Sequence, residues 1–208
     1  MKIFIAGTDT DIGKTLVSSW LCIHTGYDYF KPIQTGSRYG TDSQTILELT
    51  NSKVHKESYL YKEPLSPHLA AKLEDLEIDL NTIKLPETEN LIVEGAGGLL
   101  VPINKQSLMI DLIQKLSIPI ILVASSRLGT INHTLLSLEA IRNRGLATLG
   151  VIVSGEKNQD NCDAIEFYGK VPVLAQLPFM SKISKEVLQE VPMSNNLREL
   201  YEHAITSR

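Results

Sequence analysis

Cysteine is nearly absent from this 208-residue chain: Cys22 and Cys162 stand far apart, outside any Cys-x-x-Cys or Cys/His pattern. That argues against a disulfide framework or a zinc module and fits buried thiols in a reducing compartment. Long apolar runs are missing too, and none approaches the roughly 18 to 20 residues of a membrane helix. Neither sign of charge dominates, with 20 Lys and Arg against 24 Asp and Glu for a net −4. Binding driven by a nucleic-acid backbone is therefore not expected, although a local basic pocket for a small phosphate is compatible. The opening Met1-Lys2-Ile3-Phe4-Ile5-Ala6-Gly7 turns polar too soon for a signal peptide. There is no internal repeat, low-complexity tract or long charge run. What is present is 43% apolar and 21% charged residues, enough for a sizeable core. The expectation is a soluble, cytoplasmic protein with one domain over residues 1–208 and no nucleic-acid or membrane partner.

The apolar runs are short, rich in branched residues and separated by helical patterns. Strands are expected at residues 2–6, 27–30, 91–93, 118–124, 149–153 and 171–174. The run Ile118-Pro119-Ile120-Ile121-Leu122-Val123-Ala124 is apolar on both faces, as in a parallel sheet covered on each side, and its proline falls near the start. Amphipathic helices are expected at 14–24, 107–116, 131–143, 160–168 and 196–205, with Gly145 as a stop for the third. Ser107 precedes Asp111 by four residues, one step off a capping box. This alternation predicts an α/β fold: a doubly wound, mainly parallel sheet with helices on both faces. Residues 34–89 break the rhythm with Gly36, Gly40, Pro64, Pro67 and Pro86 and only weak helices near 43–49 and 68–73. They read as a substrate-side insertion within the same domain, since long connections at strand carboxyl ends usually hold the ligand.

The strongest chemical signal follows the first strand, at Gly7-Thr8-Asp9-Thr10-Asp11-Ile12-Gly13-Lys14-Thr15. Strand, glycine-containing loop, Gly-Lys-Thr and helix form the context of a P-loop. Successive N–H groups and the helix N-terminus attract phosphate; the lysine neutralises it and the Thr15 hydroxyl suits Mg²⁺. Gly7 stands five residues before Gly-Lys-Thr rather than the usual four, which puts Thr8 at the expected glycine position. A P-loop site also needs a carboxylate at a neighbouring strand end. Leu91-Ile92-Val93-Glu94 supplies one, followed by Gly95-Ala96-Gly97-Gly98, a chain without bulk that lets phosphate or substrate approach. Taken alone, the same stretch also reads as an ordinary strand end. Lys31 falls at the expected end of the second strand, where a second cation would stabilise charge in phosphoryl transfer; a solvated lysine before Pro32 is the other reading. Asp42 starts a helix, as an N-cap or as a metal ligand.

These motifs, with Lys31-Pro32-Ile33-Gln34-Thr35-Gly36, Ser66-Pro67-His68 and Gly129-Thr130-Ile131-Asn132-His133, resemble in order the motif series of the ATP-dependent dethiobiotin synthetases. The likeness spans nearly the whole chain. It implies a homodimeric ring-closing ligase. In that family 7,8-diaminononanoate takes up CO₂ (supplied as such or as bicarbonate) as a carbamate, ATP phosphorylates it, and the second amine closes dethiobiotin. The resemblance implies Lys31, Lys14 and Thr10 as catalytic residues, with Thr10 near the reacting amines. Asp11, Ile12, Gly13, Lys14, Thr15, Leu16, Asp42, Glu94, Gly95, Ala96, Gly97, Ser154, Pro178 and Phe179 would hold ATP and Mg²⁺, the metal resting on Thr15, Asp42 and Glu94. Thr35, Gly97, Gly98, Thr130 and Asn132 would face the substrate, the last two across a dimer interface. Ser66-Pro67-His68 matches without assigning His68 a role. One departure stands out. After the strand ending at Val153 the family commonly carries an adenine-reading asparagine, and this chain has Ser154. A hydroxyl cannot offer paired donor and acceptor groups, so relaxed nucleotide choice is expected.

The inventory holds no evident Cys/His or Ser/His/Asp nucleophile set, and a carbamate that is itself the nucleophile needs none. The main alternative is a P-loop switch or partitioning ATPase, but its early loop lysine is replaced here by Asp9. A GTPase would need an Asn-Lys-x-Asp base reader, and Gly155-Glu156-Lys157-Asn158-Gln159-Asp160 is not one. A nucleotide kinase would bring several arginines, of which only six exist in the chain.

Overall fold

The computed structural model describes residues 1–206. In chain order the elements are β1 (Lys2–Gly7), α1 (Lys14–Thr25), β2 (Asp28–Phe30), β3 (Ile33–Gln34), α2 (Asp42–Leu49), β4 (Val54–His55), β5 (Tyr59–Leu60) and α3 (Pro67–Leu73). After a 3₁₀ turn at Leu80–Thr82 come β6 (Leu91–Glu94), α4 (Met109–Leu116), β7 (Ile120–Ser125), α5 (Thr130–Asn143), β8 (Thr148–Gly155), α6 (Gln159–Gly169), β9 (Val173–Pro178), α7 (Lys185–Glu190) and α8 (Asn195–Thr206). Seven strands form one sheet in the order β4-β2-β6-β1-β7-β8-β9, and every pairing in it is parallel.

Alternation along the central strands divides the core. Ile3, Ile5, Ile92, Ile121, Val123 and Ile152 face α1, α2, α7 and α8, packing with Val17, Trp20, Leu21, Ile46, Leu188 and Leu197. Phe4, Ala6, Val93, Leu122, Ala124 and Val153 face the other way, toward α4, α5 and α6. Strands buried on both faces have no polar side to show, which is why they read as unbroken apolar runs. The doubly wound parallel fold is therefore as expected, with helices on both faces.

Several boundaries differ from the sequence reading. The strand expected from residue 118 begins at Ile120, after Pro119, whose carbonyl accepts from the Phe4 N–H at 2.8 Å. The strand expected at 171–174 lies later, at Val173–Pro178, because pairing along β8 carries it through the less apolar Ala175 and Gln176. Helix α4 starts at Met109 rather than 107, as Asp111 reaches back to accept from the Leu108 N–H at 2.7 Å. Asp42 is not an N-cap. Thr41 holds that place in a full capping box with Gln44, and Asp42 is the first residue inside α2. Gly145 follows α5 with φ +63°, as a helix stop requires. Within residues 34–89, β4 joins the main sheet beside β2, while β3 and β5 pair separately. Two-residue strands and the short α7 carry no readable period, so sequence missed them.

Candidate active site

The carboxyl ends of β1, β2 and β6 lie side by side, and the loops leaving them build the site. β1 ends at Gly7. A Cβ there would come within 2.9 Å of both Cδ and Nζ of Lys14, so the glycine makes room for the lysine to fold back along its own loop. Lys14 Nζ donates to the Asp9 carbonyl at 2.7 Å. Asp11 (φ +52°) and Gly13 (φ +92°) turn the loop through the left-handed region, and Gly13 occupies the N-cap position of α1. Such a turn exposes backbone N–H groups at a helix start, the cradle a phosphate prefers. Burial pushes the Lys14 ammonium down to about 8; Glu94 opposes that shift and Lys31 adds to it.

Beside the loop lies a buried polar cluster. The Thr15 hydroxyl is 3.0 Å from Asp42 Oδ1 and 2.9 Å from Glu94 Oε1. Lys31, only 4% exposed, places Nζ 3.0 Å from Glu94 Oε1 and 3.3 Å from the Gly95 carbonyl, and also pairs with Asp42. Glu94 is wholly buried, and Tyr29 donates its hydroxyl to Glu94 Oε2 at 3.0 Å. Burial alone would favour a neutral Lys31, but Glu94 and Asp42 outweigh it and hold the ammonium above its ordinary range. Burial likewise opposes charge on Asp42, yet Lys31, Thr15 and Lys14 keep its carboxyl below the ordinary range. Burial, then Glu94, drives the Tyr29 phenol well above its usual value.

A cavity of about 770 Å³ opens over this cluster. It brings together Thr10, Asp11, Gly13, Lys14, Thr15, Leu16, Lys31, Thr35, Asp42, Glu94, Ala96, Gly97 and Gly98. A second cavity of about 620 Å³ holds Ile12, Ser154 and Phe179, and shares Asp11 and Gly13 with the first. The remaining sequence-predicted residues lie elsewhere. Gly95 lines neither cavity; a Cβ on it would meet the Phe4 ring at 2.9 Å, so it serves close packing. Pro178 ends β9 opposite Gly155 and lines neither. Thr130 is buried, with no hydrogen-bond partner for its hydroxyl among the described residues, and Asn132 is exposed; neither lines either of these two cavities. Ser66 and Pro67 line the larger cavity, whereas His68 does not.

Sequence reasoning missed Tyr29 and Gln34. Tyr29 lies two residues before Lys31, hence on the same strand face, a signal that was available. Gln34 accepts from the Asp42 N–H at 3.0 Å and donates to the Thr35 carbonyl at 2.8 Å, tying α2 to the loop after Lys31. That link is a tertiary contact with no local pattern.

The donor chemistry admits a hard cation. The described residues contain no group of three or more His, Cys, Asp or Glu arranged for a metal ion. What they do contain is two carboxylates converging on one hydroxyl, beside a phosphate cradle. Magnesium is usually held by one or two carboxylates together with substrate phosphates, and this set fits that habit.

A parallel sheet with a glycine-rich loop and Gly-Lys-Thr between its first strand and first helix defines a P-loop nucleotide-binding protein. A family model described as an AAA domain matches residues 1–187. The fold resembles a MinD cell division protein of Aquifex aeolicus (TM-score 0.56, 14% identity, 99% of this chain and 96% of that one). It also resembles a ParA family ATPase of Chlorobium tepidum TLS (TM-score 0.54, 11% identity, 98% and 97%). Curated relatives are far more similar in sequence. An ATP-dependent dethiobiotin synthetase BioD of Lawsonia intracellularis is 62% identical over 201 residues, 97% of this chain and 99% of that protein. Another, of Paramagnetospirillum magneticum, is 47% identical over 192 residues, 91% and 94%. The chain belongs to the ATP-dependent dethiobiotin synthetase family, ATP-dependent ligases of biotin biosynthesis.

Proposed function

We propose that the protein converts 7,8-diaminononanoate, CO₂ and ATP to dethiobiotin, ADP and phosphate. The observation that carries this reading is the convergence of two cations, two carboxylates and a hydroxyl on one wall of the larger cavity, with the smaller cavity sharing the loop between them. The nucleotide base occupies the smaller cavity near Ser154 and Phe179, and the phosphates cross Gly13 into the larger one. The diamine lies along Thr10, Thr35, Gly97 and Gly98, where chain without bulk admits it. One amine adds to CO₂ and loses a proton, giving the carbamate. A carbamate oxygen attacks the γ-phosphorus, a new P–O bond forms, and the bond to ADP breaks. The second amine, neutral, then attacks the carbamoyl carbon; phosphate leaves, a proton is lost and the cyclic urea closes. Lys14 neutralises the β- and γ-phosphate oxygens, and Lys31 stabilises charge that develops between carbamate and γ-phosphate. Thr15, Asp42 and Glu94 are the residues that would hold Mg²⁺, which when bound would neutralise phosphate charge.

Pairing of two copies belongs to the same proposal. Leu136 of α5 and Phe167 and Tyr168 of α6 are exposed apolar residues suited to a shared face. Thr130 and Asn132 would then meet substrate held by the other copy. No described helix is long and apolar enough to cross a membrane. The buried free thiols, Cys22 pushed up by burial to about 12 and Cys162 to about 11, suit a reducing cytoplasm.

The test is ADP release with and without diamine and bicarbonate. Diamine-dependent ADP with a cyclic urea product is expected. ATP turnover indifferent to the diamine would instead support a switch ATPase.

A further inference from the structure

We infer that Tyr29 is a positioning residue that orients Glu94 toward the metal side of the site; the inference rests on Glu94 being a magnesium ligand, as proposed above. Strand alternation sets up the contact. Tyr29 of β2 stands in register with Ile92 of β6, and Glu94 lies two residues beyond Ile92, on the same sheet face. A tyrosine is long enough to cover that step diagonally, and its hydroxyl meets Glu94 Oε2 at 3.0 Å. The ring is fully buried, in the apolar cluster that includes Trp20, Ile46 and Ile92. A phenylalanine would occupy the same space. Packing therefore gives no reason for the hydroxyl, which is costly to bury without a partner and finds one in this carboxylate.

The bond divides the labour of the two carboxylate oxygens. Oε2 is tied down by the phenol, while Oε1 faces the Thr15 hydroxyl at 2.9 Å and Lys31 Nζ at 3.0 Å. An ammonium has three donors and could donate to both oxygens of a carboxylate that was free to turn. Tyr29 blocks that rotation and keeps one oxygen directed to the point where Thr15 and Asp42 converge. Groups that hold a metal ligand from behind are typically worth ten- to a hundredfold in metal affinity.

The test uses Tyr29→Phe in the full chain, with Mn²⁺ binding followed by electron paramagnetic resonance in the presence of ATP. Affinity for Mn²⁺ is expected to fall about tenfold, and the Mg²⁺ concentration for half-maximal turnover to rise by more than kcat falls. Glu94→Gln separates the two layers of the argument. If that change leaves Mn²⁺ affinity intact, the metal reading fails and takes this inference with it. If Glu94→Gln weakens binding while Tyr29→Phe alters it by less than twofold, or only lowers the melting temperature, the Tyr29 inference alone is overturned. Tyr29→Phe should add no further loss in a Glu94→Gln background, and an additive loss also overturns it. Should Tyr29→Phe not fold, 3-fluorotyrosine placed at position 29 alone gives a second reading. Its ¹⁹F resonance is expected to shift saturably with Mg²⁺, and a resonance indifferent to Mg²⁺ refutes the inference.

Discussion

Replacing Lys31 by methionine keeps most of the side-chain length and removes the ammonium from between two acids. In the wild type Nζ bonds Glu94 at 3.0 Å and the Gly95 carbonyl at 3.3 Å, and pairs with Asp42. Removing one partner of a buried pair typically costs about 3–5 kcal/mol because the other charge is stranded. The Asp42 side chain is 29% exposed, so solvent screens part of that loss and about 3 kcal/mol is the working figure. For a chain of this size each kcal/mol shifts the melting temperature by about 2–4 °C, so a fall of roughly 6–12 °C is expected. The pH dependence has a definite sign. The Asp42 carboxyl is held below its ordinary range with Lys31 among the causes, so its stabilisation is present above the unfolded value near 4 and is lost as pH falls through the folded one. The gap between wild type and variant is therefore widest near neutrality and closes in acid. Mg²⁺ should raise the variant's melting temperature more than the wild type's, because it neutralises the same carboxylates. Turnover should fall on the order of a hundredfold even at saturating Mg²⁺. Thermal melts from pH 3 to 8 with and without Mg²⁺, alongside steady-state rates, decide it. A variant melting within 2 °C of wild type and turning over within a few-fold would refute the reasoning.

Lys14 titrates near 8 in the ligand-free protein, and bound phosphate favours its charged form. ATP affinity should be level below that pH and weaken above it, by at most about tenfold per unit; calorimetry from pH 7 to 9.5 checks this, and Lys14→Gln should abolish the slope. Gly13→Ala forces a side chain onto φ +92° and sets its Cβ 2.6 Å from Ser154 Oγ. ATP binding should drop sharply while the fold persists, and adding Ser154→Ala should restore only part of it, because the backbone strain remains. Ser154 lines the smaller cavity with a hydroxyl rather than a paired amide donor and acceptor. Losing one such contact should cost base discrimination about 1–2 kcal/mol, roughly five- to thirtyfold, so CTP or GTP should support measurable turnover. A preference for ATP above a thousandfold, at matched Mg²⁺, would show that other groups read the base.

The parts of the site that announced themselves were those with a local cause. Gly13-Lys14-Thr15 needs a strand before it and a helix after it, and both are written in neighbouring residues. Glu94 stood out because a charge ends an apolar run, and Lys31 because it follows a short strand. Tyr29 and Gln34 did not stand out: Tyr29 shares a strand face with Lys31, but the roles of both lie in partners 65 and 8 residues away in the chain. The exposed Asn132 and the buried Thr130 carried a motif likeness, yet in one copy of the chain they stay clear of both cavities.

Periodicity and punctuation were enough to determine the layered α/β architecture and the phosphate loop, since apolar strands buried on both faces and glycine turns at strand ends are local consequences of side-chain chemistry. Register was not. Whether Tyr29 sits opposite Ile92, and so reaches Glu94, depends on how β2 pairs with β6 across 63 residues of chain. Only the tertiary structure decided that two acids would share one lysine and one hydroxyl. Packing forces these groups out of water together, and once buried they must satisfy one another.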